Sequence, residues 1–257
     1  MIIYNNTVHD YLTLWIRSLI ESNKKKSAVC TVTGGIDSCF NAAMILRSTS
    51  YVHVNLIFMG FKPETEKSFQ KWVSNNFPQD RYSFITPKHP VIDDVSLVNI
   101  DQRLSLLSAY IDLYAKANDS ITFGAITKSE YSLVKFFKTR VDEIYDYYPI
   151  IDLYRSEIIQ LANFINLPQD IITEPSITIN SFGFSWDMLE WLDRENDSLS
   201  IVSASDYPNL APHWGLFDNN KKLLLLKVYQ MQKDNKNKKI PDQKKCLARA
   251  ALPGALS

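Results

Sequence analysis

The stretch that decides the fold is residues 27–38, SAVCTVTGGIDS. Ala28 to Thr31 is a short run of small and β-branched residues, which predicts a buried strand. Thr33-Gly34-Gly35 predicts a turn, and Ser38 to Leu46 predicts the helix that follows it. A strand that passes through a glycine turn into a helix is the first half of a βαβ unit.

Strands and helices alternate through the first two-thirds of the chain. Further strands are predicted at Val52–Met59, Tyr82–Ile85 and Ser120–Phe123, and helices at Val8–Glu21, Pro63–Val73, Gln102–Tyr114 and Leu153–Phe164. This order predicts an α/β fold with three α/β/α layers around a mostly parallel sheet. Ligands bind such sheets outside the carboxyl ends of the strands, which points to the loops after Thr31, Met59 and Phe123.

The composition narrows the class of protein. Among the 257 residues, 28 Lys and Arg balance 28 Asp and Glu, which argues against a protein that coats a nucleic acid. The cysteines Cys30, Cys39 and Cys246 form no CxxC pair, so we expect reduced thiols rather than a disulfide framework. No apolar run approaches a membrane span, and the start shows no signal peptide. We therefore predict a cytoplasmic protein that binds neither nucleic acid nor membrane.

The pattern changes after Ser176. A polar stretch, Arg194 to Ser205, precedes a helix-like segment, Leu223 to Met231, and a lysine-rich run. We therefore predict two units, with residues 1–193 as the α/β domain and 194–257 as a helical C-terminal extension packed on it.

The chemistry of the glycine loop suggests a phosphate site. Gly34 and Gly35 let the backbone approach a bulky anion and present N–H groups to it, while the helix that follows adds the positive end of its dipole. Thr33 and Ser38 supply hydroxyl donors. Asp37 would repel phosphate unless a divalent cation lay between them, which makes it a candidate Mg²⁺ ligand. The alternative is a plain glycine turn in which Asp37 only caps the helix.

The loop resembles the SGGxDS pyrophosphate loop of the N-type ATP pyrophosphatases, with Thr33 in place of the first serine. Those enzymes cleave ATP to AMP and pyrophosphate and pass AMP to a substrate oxygen. The resemblance implies a Rossmann-like, five-stranded sheet. It also implies that the residues of the loop bind ATP, namely Thr33, Gly34, Gly35, Asp37 and Ser38.

Residues 124–176 look like the corresponding segment of ammonia-dependent NAD synthases, and the resemblance extends over about residues 8–193. It implies that Glu130 is the second Mg²⁺ ligand. Asp152-Leu153-Tyr154-Arg155 is similar to the family's DLYK element, which implies that Arg155 replaces the lysine and acts with Asp37 in catalysis. Arg155 and Ser176, from Pro175-Ser176, would then also contact ATP. The residues implied for the dinucleotide substrate are Asn99, Arg103, Lys138, Asp146 and Lys238.

The family's reaction follows from the same resemblance. With ATP as co-substrate and Mg²⁺ as cofactor, the carboxylate of deamido-NAD is adenylated, and ammonia then displaces AMP to give NAD. The family forms homodimers whose dinucleotide site spans the subunit boundary, so a homodimer is implied. The ammonia would be free or delivered by a separate donor.

Several departures from the family pattern keep alternatives open. Ala125 replaces a threonine that bonds ATP, Asn237-Lys238 replaces His-Lys, and the acidic loop expected after Pro175-Ser176 is missing. The alternatives are an amide-forming ATP pyrophosphatase that adenylates a different carboxylic acid, and a non-catalytic nucleotide-binding homologue. Individual residues also have plain alternatives, since Lys138 and Arg155 could be solvated and Asp146 could cap a tyrosine-rich loop.

Overall fold

The computed structural model describes residues 5–87, 100–128 and 145–174, together with Glu190. Four strands form one sheet: β1 (Ser27–Val32), β2 (His53–Phe58), β3 (Tyr82–Ile85) and β4 (Ser120–Phe123). The helices are α1 (Asn5–Asn23), α2 (Ile36–Ser48), α3 (Pro63–Asn76), α4 (Ile100–Ala117), α5 (Arg155–Phe164) and α6 (Gln169–Ile172). A turn of 3₁₀-helix, Gln79–Arg81, leads into β3.

The sheet is parallel throughout, in the order β3-β2-β1-β4. Strand β1 lies between β2 and β4, with Cys30 opposite both Leu56 and Phe123. The described residues therefore contain four strands of the five expected. An isolated parallel bridge between Phe123 and Tyr147 lies beside β4 and marks a fifth position in the sheet.

Helices cover both faces of the sheet, as expected for a parallel sheet. All six residues of β1 are buried, and alternate side chains point to opposite faces. Ala28 and Cys30 belong to the larger core cluster, which includes residues of α1, α2 and α5. Val29 belongs to a second cluster with Ile111 and Ala115 of α4. This arrangement confirms the predicted three-layer α/β/α architecture.

Four helices begin elsewhere than predicted, and the differences in two of them affect the site. Helix α2 begins at Ile36 rather than Ser38, so Asp37 lies in its first turn. Helix α5 begins at Arg155 rather than Leu153, because Tyr154 stays extended at φ −73° and ψ 155°. The Tyr154 N–H donates to the Glu157 carboxylate at 2.8 Å, which caps the helix at this point. Strands β3 and β4 have the predicted bounds.

The C-terminal unit stays a prediction, because residues 191–257 lie outside the described part of the chain. The predicted helix at Leu223–Met231 lies there as well. Among the residues that the structure describes, no helix combines the length and the hydropathy that a membrane span requires.

Replacing Gly34 with alanine should destabilise the fold. Gly34 has φ +76°, and a Cβ there would lie 2.5 Å from Thr65 Oγ1 and 2.9 Å from the Lys62 carbonyl oxygen. The left-handed conformation and the backbone contact together should lower the free energy of unfolding by about 2 kcal/mol or more in a urea titration. Gly35→Ala is the matched control, because its Cβ would meet only Thr33 Oγ1 at 3.5 Å. Equal losses in the two variants would contradict this account of the turn.

Candidate active site

The glycine loop joins β1 to α2 and is closed by the Ser38 side chain. The Ser38 hydroxyl accepts a hydrogen bond from the Thr33 N–H at 3.0 Å and lies 3.0 Å from the Gly35 carbonyl oxygen, to which it donates. Thr33 Oγ1 is 2.9 Å from the same hydroxyl. Ser38 thereby shapes the turn. The first-turn N–H groups of α2 lack intrahelical partners by geometry and point out of the helix end, as an anion site requires.

A second loop, after β2, packs directly on this turn. The Lys62 carbonyl and Cβ lie against Gly34, which is why this position has no room for a side chain. Lys62 forms an ion pair with Glu174 at 2.9 Å, and the two side chains are 17% and 24% exposed. The turn therefore has a partly buried cation beside it, on the rim where the sequence places a ligand site.

Asp37 and Arg155 meet across the site although they are 118 residues apart. Arg155 Nη1 donates to Asp37 Oδ2 at 2.6 Å, with side chains 12% and 21% exposed, respectively. Burial raises the pKa of the Asp37 carboxyl above its ordinary value, and the charges of Arg155 and then Lys62 act against that rise. The pair brings together the two residues that the sequence analysis assigned to catalysis.

The other oxygen of Asp37 is unpaired. Oδ1 is inaccessible to solvent and has no hydrogen-bond partner within the described residues. A carboxylate oxygen that lacks a partner fits a Mg²⁺ ligand, because Mg²⁺ prefers oxygen donors. Glu130, the second predicted ligand, lies outside the described residues. The described ranges contain no group of three or more His, Cys, Asp or Glu side chains that could hold a metal.

Asp146 bonds to strand β4 rather than to the loop. Its Oδ2 accepts hydrogen bonds from the N–H and the hydroxyl of Thr122, both at 2.9 Å. The pKa of Lys25, which precedes the amino end of β1, is raised mainly by its hydrogen bond to Asp119 and the charge of that residue, and least by the charge of Asp146. These contacts match the capping alternative, and a role of Asp146 in substrate binding stays a prediction.

The structure describes the backbone of one of the remaining predicted site residues and nothing of the others. Arg103 falls in helix α4, within residues 100–104, whose side chains are outside the described part. The others lie outside the described residues altogether, namely Asn99, Lys138, Ser176 and Lys238.

Sequence analysis missed Lys62 and Glu190. Lys62 follows Met59, on a loop already expected at the rim, so its position was a usable signal. Glu190 is 8% exposed and accepts hydrogen bonds from the N–H and hydroxyl of Ser156, next to Arg155. It thereby holds the first turn of α5. No local pattern could have revealed this contact, because the two residues are 34 positions apart.

Cys39 is a small buried residue rather than a reactive thiolate. It follows Ser38 near the start of α2, where a helix dipole could favour the thiolate. Its side chain is 0% exposed, and burial raises the pKa of the thiol. The effect of desolvation on the pKa of the Cys39 thiol therefore outweighs the effect of the helix start.

The Asp37–Arg155 pair should show measurable coupling in a double-mutant cycle. Arg155→Met leaves a partly buried carboxylate without its cation, so it should cost more stability in the native chain than in an Asp37→Asn background. We expect a coupling of about 1–3 kcal/mol from urea unfolding. The control cycle uses Glu64 and Lys67, an exposed pair at 3.0 Å, for which we expect a coupling near zero. Additive effects at both pairs would mean that the Asp37–Arg155 contact contributes nothing.

Comparison with known proteins identifies the family of this chain. Residues 8–181 match the family model described as NAD synthase. A relative in Sulfurisphaera tokodaii, named NH(3)-dependent NAD(+) synthetase, is 27% identical over 65% of this chain and 63% of its own length. One of the same name in Finegoldia magna is 27% identical over 70% of this chain and 80% of its own. The chain thus spans somewhat under two-thirds of the first relatives that it matches.

Solved structures share the fold at lower sequence identity. An NMN synthetase from Francisella tularensis superposes with a TM-score of 0.66, at 14% identity, over 96% of this chain and 98% of its own. An NH3-dependent NAD synthetase from Campylobacter jejuni gives a TM-score of 0.65, at 19% identity, over 94% and 99%. With the family model covering more than half of the residues, the chain belongs to the NAD synthase family, as a divergent member.

Proposed function

We propose that this chain is an AMP-forming ligase that converts deamido-NAD to NAD with ATP and ammonia. The observation that carries the proposal is the glycine turn at the carboxyl end of β1, with the Asp37–Arg155 pair at 2.6 Å beside it. Membership of the NAD synthase family supports the choice of reaction. So do the names of the relatives, although the chain spans only part of their length.

The turn is suited to hold the β- and γ-phosphates of ATP. The left-handed Gly34 and the start of α2 direct backbone N–H groups outward, and such groups bind phosphate oxygens well. Thr33 adds a hydroxyl at the same edge. Lys62 brings positive charge to the rim, where it would offset part of the charge of a bound triphosphate.

In the first chemical step, a carboxylate oxygen of the substrate attacks the α-phosphorus of ATP. The new P–O bond forms as the bond from the α-phosphorus to the bridging oxygen of pyrophosphate breaks. The guanidinium of Arg155 has five N–H donors, so its bond to Asp37 leaves others for phosphate oxygens. Charge develops on the leaving pyrophosphate, and the turn N–H groups stabilise it in place.

Asp37, with Glu130 from outside the described residues, would hold the cation. When bound, Mg²⁺ neutralises the negative charge that collects on pyrophosphate. Oδ1 of Asp37 has no hydrogen-bond partner among the described residues, which supports this assignment, since Oδ2 already accepts a hydrogen bond from Arg155.

In the second step, ammonia attacks the carbonyl carbon of the acyl-adenylate. The C–O bond to AMP breaks, the nitrogen loses a proton, and the amide and AMP are released. No protein nucleophile is needed, so the chain contributes mainly position and charge. Ser176 is proposed for ATP, while Asn99, Arg103, Lys138, Asp146 and Lys238 are proposed for the dinucleotide. A cytoplasmic location stays a prediction.

The reaction itself is tested by incubating the chain with ATP, Mg²⁺ and ammonia, with and without deamido-NAD, while both pyrophosphate and NAD are measured. We expect NAD and pyrophosphate in equal amounts, and neither without the dinucleotide. Pyrophosphate formed only with another carboxylic acid would contradict the proposed substrate. Bound ATP without turnover on any acid would contradict catalysis.

Asp37→Asn should reduce pyrophosphate release by about a hundredfold or more while the chain remains folded, because the amide is a poorer cation ligand than the carboxylate. Asp170→Asn is the control, since Asp170 is exposed at the start of α6. Circular dichroism should show equal helix content in both variants. Near-normal turnover in Asp37→Asn would remove this residue from the cation site.

We also propose a homodimer that uses the outer face of α4. Leu113 is 67% exposed and Leu106 is 37% exposed on this helix, while Leu107 and Ile111 on the opposite face are fully buried. Leu106, Tyr110 and Leu113 follow helical spacing, so they form one apolar stripe. An exposed stripe of this kind is typical of a surface that a partner covers.

Leu113→Glu should convert the dimer to a monomer at micromolar concentration, because it places a charge in the exposed stripe that the proposed dimer would bury. Light scattering coupled to gel filtration measures the mass. Leu14→Glu is the matched control, because Leu14 is 59% exposed on α1 and should leave the dimer intact. A monomeric native chain, or loss of the dimer in both variants, would contradict this interface.

A further inference from the structure

One fully buried amide has no role in the mechanism above. Asn41 lies on α2 with 0% of its surface exposed, among apolar neighbours in the helix such as Phe40 and Ala42. Neither its Nδ2 nor its Oδ1 has a hydrogen-bond partner within the described residues. A buried amide without partners is strongly unfavourable, so Asn41 needs bonds that the described side chains do not supply.

Helical spacing places Asn41 on the same side of α2 as the proposed cation ligand. It lies four residues after Asp37, so the two side chains are on the same face of α2, with Cβ atoms roughly 6 Å apart. Side chains on a helix lean toward its amino end, which directs the Asn41 amide toward Asp37. Asp37 Oδ2 is held by Arg155, and the unpaired oxygen is Oδ1. Two groups on one side of α2 therefore both lack hydrogen-bond partners among the described residues.

We infer that an ordered internal water bridges Asn41 and Asp37, and that Asn41 is a positioning residue for this carboxylate. The water accepts a hydrogen bond from Asn41 Nδ2 and donates one to Asp37 Oδ1. Buried polar groups that protein atoms leave unsatisfied are the usual partners of such waters. The bridge holds the second oxygen of Asp37 while Arg155 holds the first, so the carboxylate keeps one orientation.

The consequence for cation binding rests on the proposed function of Asp37. Mutating a group that orients a metal ligand typically lowers metal affinity or activity about 10- to 100-fold. Asn41 therefore acts on the cation through Asp37 and touches neither substrate nor phosphate.

The first test is a crystal structure of the native chain at a resolution that shows ordered water. We expect a water within hydrogen-bond distance of both Asn41 Nδ2 and Asp37 Oδ1. An empty gap between them, or a direct hydrogen bond between the two side chains, would overturn the bridge. This test does not depend on any variant or on activity.

The second test measures Mn²⁺ affinity, by electron paramagnetic resonance, in Asn41→Leu, Asn41→Ser and the control Met44→Leu. Asn41→Leu should weaken Mn²⁺ binding about tenfold or more, although it removes an unfavourable buried amide and should not lower the unfolding temperature. Asn41→Ser keeps a hydroxyl that can hold water and should retain most of the affinity. Met44→Leu conserves buried volume in the same helix and should change neither the Mn²⁺ affinity nor the unfolding temperature.

Unchanged Mn²⁺ affinity in Asn41→Leu would overturn the positioning role. Asp37→Asn separates this failure from failure of the proposed function. If Asp37→Asn leaves Mn²⁺ affinity unchanged, the cation role of Asp37 is wrong, while the crystal structure still decides whether the water bridge exists.

Discussion

The close approach of the loop after β2 to Gly34 is the constraint on which the site depends. The Lys62 backbone and Thr65 occupy the space that a Cβ at Gly34 would need, and Gly34 has the left-handed φ of +76°. Because the turn is compressed in this way, α2 begins immediately at Ile36 and Asp37 falls in its first turn. A bulkier or looser turn would start α2 elsewhere and move Asp37 away from Arg155.

Charge in the site is arranged in pairs. Arg155 neutralises Asp37, and Glu174 neutralises Lys62, so four charged groups occupy a partly buried region without a large imbalance. Such pairs limit the cost of burying charges, but single groups can still exchange partners when a ligand with stronger charges arrives. A nucleotide with its cation offers the matching partners, since phosphate oxygens suit Arg155 and Lys62 while the cation suits Asp37.

Local patterns in the sequence predicted much of this molecule. Strand β1, the glycine turn and the two-faced parallel sheet were predictable because burial and turn chemistry act over a few residues. The roles of Asp37 and Arg155 were predicted only through family resemblance, and their contact was not predicted, since nothing local links residues 118 positions apart. Glu190 was missed for the same reason, whereas the capped start of α5 was missed although Tyr154 and Glu157 are only three residues apart. For Asp146, the resemblance implied a role in substrate binding, but the structure shows hydrogen bonds to Thr122. These bonds depend on which residue β4 places beside Asp146.

A crystal structure of the chain with AMP, pyrophosphate and Mg²⁺ tests the central claim most directly. The account predicts pyrophosphate oxygens within hydrogen-bond distance of the backbone N–H groups of residues 34–37, a cation on Asp37 Oδ1, and the Arg155 guanidinium on phosphate. Pyrophosphate bound away from this turn, or a cation that does not touch Asp37, would contradict it.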